Sequence, residues 1–188
     1  MSDVSLTRFP RVALASAVSA QDRAEAVDFI NRVNWLFETW EVDAMVEAFL
    51  PDGVAYHFHG VIRGRQEMRR FFEQDYPYLV PGVSRHATNP IVDRDGDGVS
   101  VRYHNLLVRY AAPELAQELA AGGVHESDGD LPGLWIYSPM LDRLRRTPDG
   151  WRIAERHVGG SMTNRRLGTG SRDPVAMTSF LPHPVPGR

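Results

Sequence analysis

Cysteine is missing from this 188-residue chain, which removes disulfides, thiolate metal sites and cysteine nucleophiles from consideration. A reducing compartment is compatible with that, and a cytoplasmic setting is the expectation. No apolar run comes near the ~18 residues needed to span a bilayer, so no membrane partner is expected. Charge of one sign is scarce as well. Twenty-one basic residues against 24 acidic ones leave a net charge of −3, too little cationic excess for a general phosphate-binding surface, so no nucleic-acid partner is expected. The short basic runs at Arg143, Arg145, Arg146 and at Arg165, Arg166 stand beside acids and read as solvated strand edges. Gly159, Gly160, Gly168 and Gly170 lack phosphate-loop spacing, and no Gly-x-Ser-x-Gly nucleophile elbow is present.

What is present is ordinary for a globular protein: 43% hydrophobic and 24% charged residues, in a length that fits one domain with a real core. Arg8 and Arg11 ahead of Val12–Ala20 resemble a signal peptide, but Ser16 and Ser19 interrupt the apolar stretch and Asp3 precedes it. Residues 1–21 therefore read as a loose N-terminal arm. Residues 163–188, with Pro174, Pro182, Pro184 and Pro186, read as an extended tail. The domain proper is 22–162.

Within it helices come first. Asp22 with Glu25 three positions later suggests a capping box, and Ala26, Ile30, Val33 and Phe37 follow helical spacing, which predicts one buried face. A second helix fits Glu41–Leu50, with Val42, Met45, Val46 and Phe49 on one stripe and Pro51-Asp52-Gly53 as its stop. Val54–Gly60 alternates as a strand. A third helix follows Gly64, with Met68, Phe71 and Phe72 inward, and Pro77 and Pro81 end that region. The remainder reads as β: Val83–Asp93, Val99–Tyr110, Leu134–Arg146 and Trp151–Ser161, joined by turns at Arg94–Gly98 and Thr147–Gly150. Long strands joined by tight turns predict an antiparallel sheet, and three helices ahead of it predict an α+β domain with the helices on one face. The connection Ala111–Pro132 has room for a short helix over Glu114–Ala121.

Asp93, Asp95, Asp97 and Gly98 match the opening of a calcium loop, but its twelfth position, which needs a bidentate glutamate, is His104. The segment reads as a hairpin turn. His57 and His59 stand two apart on a strand and so share a face with Ala55. That face looks either into solvent or into a cavity walled by the sheet. A His-x-His pair can also ligate a metal given a third ligand such as His86 or Glu38; nothing in the sequence fixes that ligand, and no metal is expected. Ser84-Arg85-His86-Ala87-Thr88-Asn89-Pro90 places a histidine at the start of a strand, and Glu38 ends the first helix. An imidazole on a strand and an acid at a helix end are the parts of an acid–base pocket, with Glu38 able to hold His86 in one tautomer. On the last strand, Arg156 and His157 are alternatives for one pocket position.

Several short motifs in order carry a family resemblance: Phe37-Glu38 before Trp40-Glu41-Val42-Asp43, the Phe49–Gly53 stop, Gly60–Gly64 before the third helix, Arg85-His86 with Asn89, the Asp-Gly turn, and Asp149-Gly150-Trp151-Arg152-Ile153. Over residues 22–162 the chain resembles the nuclear transport factor 2-like superfamily, in particular its SnoaL-like and scytalone dehydratase branches. The resemblance implies a cone: a strongly bent antiparallel sheet packed by three N-terminal helices around a pocket. It implies His86 at the place of a catalytic histidine, Phe37-Glu38 at the place of a tyrosine–aspartate pair, and His57 near a water-positioning tyrosine. A second family histidine would fall near Tyr137. The family also implies a homodimer formed through the open sheet face.

The expectation is thus an enzyme without organic cofactor that moves a proton next to a carbonyl of a cyclic small molecule, a dehydratase, cyclase or isomerase of natural-product or polyketide type. His86, Glu38 and His57 are the expected catalytic residues. Trp40, Tyr56, His59, Asn89, Tyr103, Tyr137 and His157 are expected to bind substrate, with Trp151 as a further aromatic wall. Two alternatives stand beside it. Leu141–Arg146 followed by Trp151–Arg156 is similar to the β subunits of aromatic-ring-hydroxylating dioxygenases, which are structural and pair with a larger iron-bearing chain. The other is a non-catalytic domain that binds a hydrophobic ligand.

Overall fold

A computed structural model describes residues 9–57, 60–75 and 81–168. Helix α1 spans Ala20–Thr39 and buries Ala26, Ile30, Val33, Asn34 and Phe37 along one stripe. Its cap is Ser19, not Asp22: the Ser19 hydroxyl accepts the Asp22 N–H at 3.0 Å and donates to Asp22 Oδ2 at 2.9 Å. The short serine side chain satisfies an orphan donor of the first turn. Asp22 and Glu25 instead both accept from Arg146. Trp40 closes α1 at φ 60°, its N–H on the Leu36 carbonyl.

Helix α2 is shorter than the sequence pattern predicts, Val42–Glu47. Strand β1, Phe49–His57, begins where the helix was expected to continue and carries Pro51-Asp52-Gly53 as an irregularity inside it. Phe49 fits either pattern; its pairing with Ile153 of the last long strand decides it. That pairing is remote in sequence and invisible to local periodicity. Strand β2, Gly60–Arg63, returns antiparallel to β1. Helix α3, Gly64–Arg70, runs into a wider π-type turn at Phe71–Asp75, a form that often sits beside functional sites. Strands β3 (Val83–Asp95), β4 (Gly98–Arg109), β5 (Gly133–Thr147) and β6 (Gly150–Val158) form the antiparallel body, with helix α4, Pro113–Ala120, between β4 and β5. The pair β7, Met162–Thr163, adds to β5.

The sheet order is β2-β1-β6-β5-β4-β3, with β1 and β6 parallel and β7 off the path. It is strongly curved and unclosed, the expected α+β cone. Helix α1 packs on β3, and α3 packs on β1.

Two bulges set the curvature and the chemistry. In β3 the register shifts between Thr88 and Ile91, with Asn89 at φ 55° and Pro90 as the irregular pair. Asparagine is among the residues that tolerate this left-handed geometry. In β6, Arg143 faces Glu155 while Leu144 faces Ile153, so Ala154 is the extra residue. Because side chains alternate across a strand, one extra residue exchanges the faces of everything beyond it. Trp151 and Ile153 point into the core, and after the bulge so do Arg156 and Val158, leaving Glu155 and His157 outside. The Asp95–Gly98 link is the expected hairpin turn, with Asp95 held by Arg143 and Arg145, each at 3.0 Å.

Candidate functional site

The inner face of the sheet, α1 and the α3 turn enclose a cavity of about 70 Å³. Its walls are mostly apolar: Phe37 from α1, Phe49 and Ala55 from β1, Met68, Phe71 and Phe72 from α3 and its turn, and Met140 from β5. Among the described residues six polar side chains reach it: Asn34, His57, Arg85, Asn105, Ser138 and Arg156. Among the described residues no carboxylate belongs to the lining.

Each is placed by a simple rule. Asn34 lies one turn beyond Ile30 on the buried stripe of α1. His57 shares the inner face of β1 with Ala55 and is 8% exposed, its ring 5.5 Å from that of Phe71. Arg85 lies between Val83 and Ala87 on the inner face of β3, and its guanidinium stands 5.0 Å over the Phe37 ring. Asn105 and Leu107 follow Tyr103 inward along β4. Asn34 donates to Asn105 Oδ1 at 3.5 Å, which leaves the Asn105 amide N–H groups as donors to a ligand. Ser138 meets Ser161 hydroxyl to hydroxyl at 2.7 Å.

Arg156 is the most heavily supported group. Its Nε donates to Asp142 Oδ1 at 2.8 Å and its Nη2 to Asp142 Oδ2 at 2.7 Å, and Asp142 is 0% exposed. Tyr103 donates to the same carboxylate at 3.0 Å. Burial first, and the neighbouring Asp142 second, push the Tyr103 phenol well above its ordinary value against the opposing pull of Arg156, so it stays a donor. The guanidinium lies 5.5 Å from the Phe49 ring centroid and 6.0 Å from that of Phe37. The bidentate fork fixes its plane, and the phenol occupies a remaining lone pair of the buried carboxylate.

The expected site residues divide. His57 is in the cavity wall. His59 lies outside the described residues. Glu38 is half-buried but does not line the cavity: its Oε1 accepts the backbone N–H of Arg85 and so braces α1 against β3. Burial raises its carboxyl above the ordinary value, while the Arg85 N–H and the charges of His86 and Arg85 pull it back. His86 points the other way. It is exposed and meets Ser84 Oγ at 2.9 Å. The alternation Val83, Arg85, Ala87 against Ser84, His86, Thr88 already marks Arg85 as the inward residue, a signal the histidine obscured.

Of the expected substrate binders, Asn89 is an exposed bulge residue and Trp40 is the half-buried cap of α1. Tyr103 is buried behind the wall on Asp142, and Trp151 is core, with Arg146 4.3 Å over its ring. Tyr56 stacks on His157 at 4.5 Å, Tyr137 packs near His104 at 5.3 Å, and His157 meets Glu155 at 2.9 Å, all off the cavity. The bulge at Ala154 thus resolves the choice on the last strand in favour of Arg156. Among the described residues no three histidines or carboxylates gather as a metal set, and no helix is long and apolar enough to cross a membrane.

One compositional feature acquires meaning here: all 21 basic residues are arginine and none is lysine. Schiff-base chemistry on a lysine is therefore excluded, while planar, permanently charged forks are abundant.

The profile of the SnoaL-like domain matches residues 18–157. The chain belongs to the SnoaL-like family. Solved structures agree on the fold. An NTF2-like protein with a cystatin-like fold from Novosphingobium aromaticivorans is 22% identical at TM-score 0.54, over 85% of this chain and 90% of that one. A candidate aromatic ring hydroxylase from the same organism is 17% identical at TM-score 0.57, over 80% and 98%. A candidate scytalone dehydratase, also from that organism, is 15% identical at TM-score 0.56, over 77% and 89%. Identities this low speak for the fold alone. No curated protein matches the sequence. In this SnoaL-like domain the imidazole of the cavity is His57, and arginine stands on the inner face of β3 beside the histidine that the family motif suggested.

Proposed function

We propose that this SnoaL-like domain is an acid–base enzyme that moves a proton next to the carbonyl of a small molecule, giving dehydration or isomerisation without an organic cofactor. The observation that carries the reading is the placement of one buried imidazole, His57, in an apolar cavity with Arg85, Arg156 and Asn105 as donors. His57 takes the proton from the carbon beside the carbonyl and returns it to the leaving hydroxyl or to the neighbouring carbon. The negative charge that develops on the carbonyl oxygen is met by the Asn105 amide and the guanidinium groups, in surroundings where water screens little. Glu38 is a positioning residue, acting through the Arg85 backbone.

Cavity size narrows the substrate. About 70 Å³ is roughly half of a ~150 Å³ cavity that admits benzene, and below the ~300 Å³ of a pocket for drug-sized ligands. A compact skeleton smaller than an aromatic ring suits it; folding of a long polyketide chain inside it does not. The test is turnover of a panel of compact β-hydroxy ketones and enones. His57→Asn should lower kcat by ~10²–10⁴-fold, with His86→Ala close to wild type. Full turnover by His57→Asn, or loss confined to His86→Ala, overturns the reading.

A further inference from the structure

We infer that Ser138 faces the cavity as a hydrogen-bond acceptor and that, with Asn105 opposite it, it selects a ligand whose hydroxyl lies close to its carbonyl. The inference rests on the proposed function and narrows it to hydroxy carbonyl compounds. Ser161 Oγ contacts two oxygens, the Gly159 carbonyl at 3.2 Å and Ser138 Oγ at 2.7 Å. A carbonyl oxygen only accepts, and a hydroxyl owns a single hydrogen. The Ser161 hydrogen therefore goes to Gly159, and the bond between the two serines is made by the hydrogen of Ser138. Were Ser161 to donate to Ser138 instead, its oxygen would face the Gly159 carbonyl at 3.2 Å with no hydrogen between them.

Ser138 is 5% exposed and lines the cavity. With its hydrogen spent on Ser161, it offers a ligand lone pairs. Asn105 is its direct partner across β4 and β5, so the two side chains stand on one face about 5 Å apart. Asn105 accepts from Asn34 and keeps its amide N–H groups for the ligand. The wall thus sets a donor beside an acceptor. A carbonyl oxygen suits the first and a hydroxyl the second, in a compact molecule that carries the two groups close together. An ether or a halogen at the Ser138 end would set lone pairs against lone pairs where little water can intervene, which is costly. The contact also has a direction along the reaction. In dehydration the carbon–oxygen bond breaks as His57 delivers its proton, and the hydroxyl leaves as water. The protonated oxygen is a stronger donor than the alcohol, so its bond to Ser138 tightens toward the transition state. An isomerisation that keeps the hydroxyl gains nothing from it.

Hydroxyacetone, butanone and fluoroacetone are suitable probes, since they share one heavy-atom skeleton and end in hydroxyl, methyl or fluorine. Chemical-shift titration of the full chain by NMR reads the binding of each. Wild type should bind hydroxyacetone about tenfold more tightly than butanone, and fluoroacetone more weakly than butanone. Ser138→Ala should level hydroxyacetone with butanone. Ser161 is a positioning residue, and Ser161→Ala should reverse the lower pair: Ser138 keeps its hydrogen for the ligand, and fluoroacetone then binds better than butanone. A role in packing alone would not produce that reversal. Butanone binding as tightly as hydroxyacetone, fluoroacetone binding better than butanone in wild type, no shift with hydroxyacetone, or an unchanged order in a folded Ser161→Ala overturns the inference. The order of the three probes in wild type decides even if the serine variants do not fold. A hydroxyl preference that stands while His57→Asn keeps full turnover would sink the acid–base reading and leave the Ser138 assignment intact. Turnover lost in His57→Asn with no hydroxyl preference in wild type would do the opposite.

Discussion

The buried interior of the cone and its solvent-exposed rim carry similar chemistry and put it to different use. Inside, Arg156 meets Asp142 at 2.7 Å with side-chain exposures of 10% and 0%. At the rim, Arg146 meets Glu25 of α1 at 2.6 Å with exposures of 45% and 38%. The distances are nearly equal, so geometry does not separate the pairs. Water does. The outer pair interacts in a high dielectric and competes with solvent and side-chain entropy, whereas the inner pair has surrendered its hydration and depends on its partner. The same contrast divides the histidines: His57 is enclosed, while His86 meets Ser84 in the open. A contact length by itself therefore does not identify a functional residue in this fold; burial does.

The contrast can be broken from inside first. Asp142→Asn removes the charge that matches Arg156 and should cost ~3–5 kcal/mol of stability, measured by urea unfolding, whereas Glu25→Gln at the exposed rim should stay within ~1 kcal/mol. Arg109 sharpens it. This arginine is 1% exposed, 4.1 Å over the Trp135 ring, with only a 3.5 Å contact from Nη1 to the Pro81 carbonyl and no carboxylate among the described residues. Burial alone holds its pKa below the ordinary value. Arg109→Met should therefore be neutral or stabilising, by up to ~1–4 kcal/mol as for other buried charges replaced by apolar residues. A large loss of stability would mean that Arg109 has a role of its own.

Smaller effects are expected at Glu38. Glu38→Ala strips the Arg85 N–H of its acceptor and should cost ~1–3 kcal/mol, with kcat/KM falling; Glu38→Gln keeps an acceptor oxygen and should recover most of both. The pH dependence has a definite sign. The folded state raises the Glu38 pKa above its ordinary 4.5, so it binds this proton more tightly than the unfolded chain. Ionisation of Glu38 therefore subtracts stability as pH rises through the window above 4.5, and protonation restores it as pH falls. Wild type should gain on Glu38→Gln as pH drops from neutral toward that value. A stability difference independent of pH would refute the shift.

Much of the fold was legible because it is written in local periodicity. Ala26, Ile30, Val33 and Phe37 announced α1, the Asp95–Gly98 turn announced a hairpin, and the long alternating strands announced an antiparallel sheet. The boundary between α2 and β1 was not legible, since Phe49 suits both and only its distant pairing with Ile153 decides. The site was read less well, for two separate reasons. At Arg85 the alternation of Val83 and Ala87 carried the answer, but a titratable histidine next door drew the inference away. At Arg156 no local pattern could serve, because the face of the strand depends on where Ala154 is squeezed out. Asn34 and Asn105 sat on stripes otherwise apolar, which is the mark of a polar residue kept for a reason.

That squeezed-out alanine has an evolutionary consequence. Loss of the Ala154 codon would restore plain alternation and leave Arg156 and Val158 facing in, whereas taking Ala154 into the ladder without any loss would turn Glu155 and His157 toward the interior and send Arg156 and Val158 out. A lineage built on this scaffold could thus shed the extra residue in one genetic event and keep its cationic lining, while its numbering beyond that point moves by one. Comparisons between distant members should accordingly align this strand by which face its side chains occupy, since matching letters column by column would pair residues that never look at the same ligand.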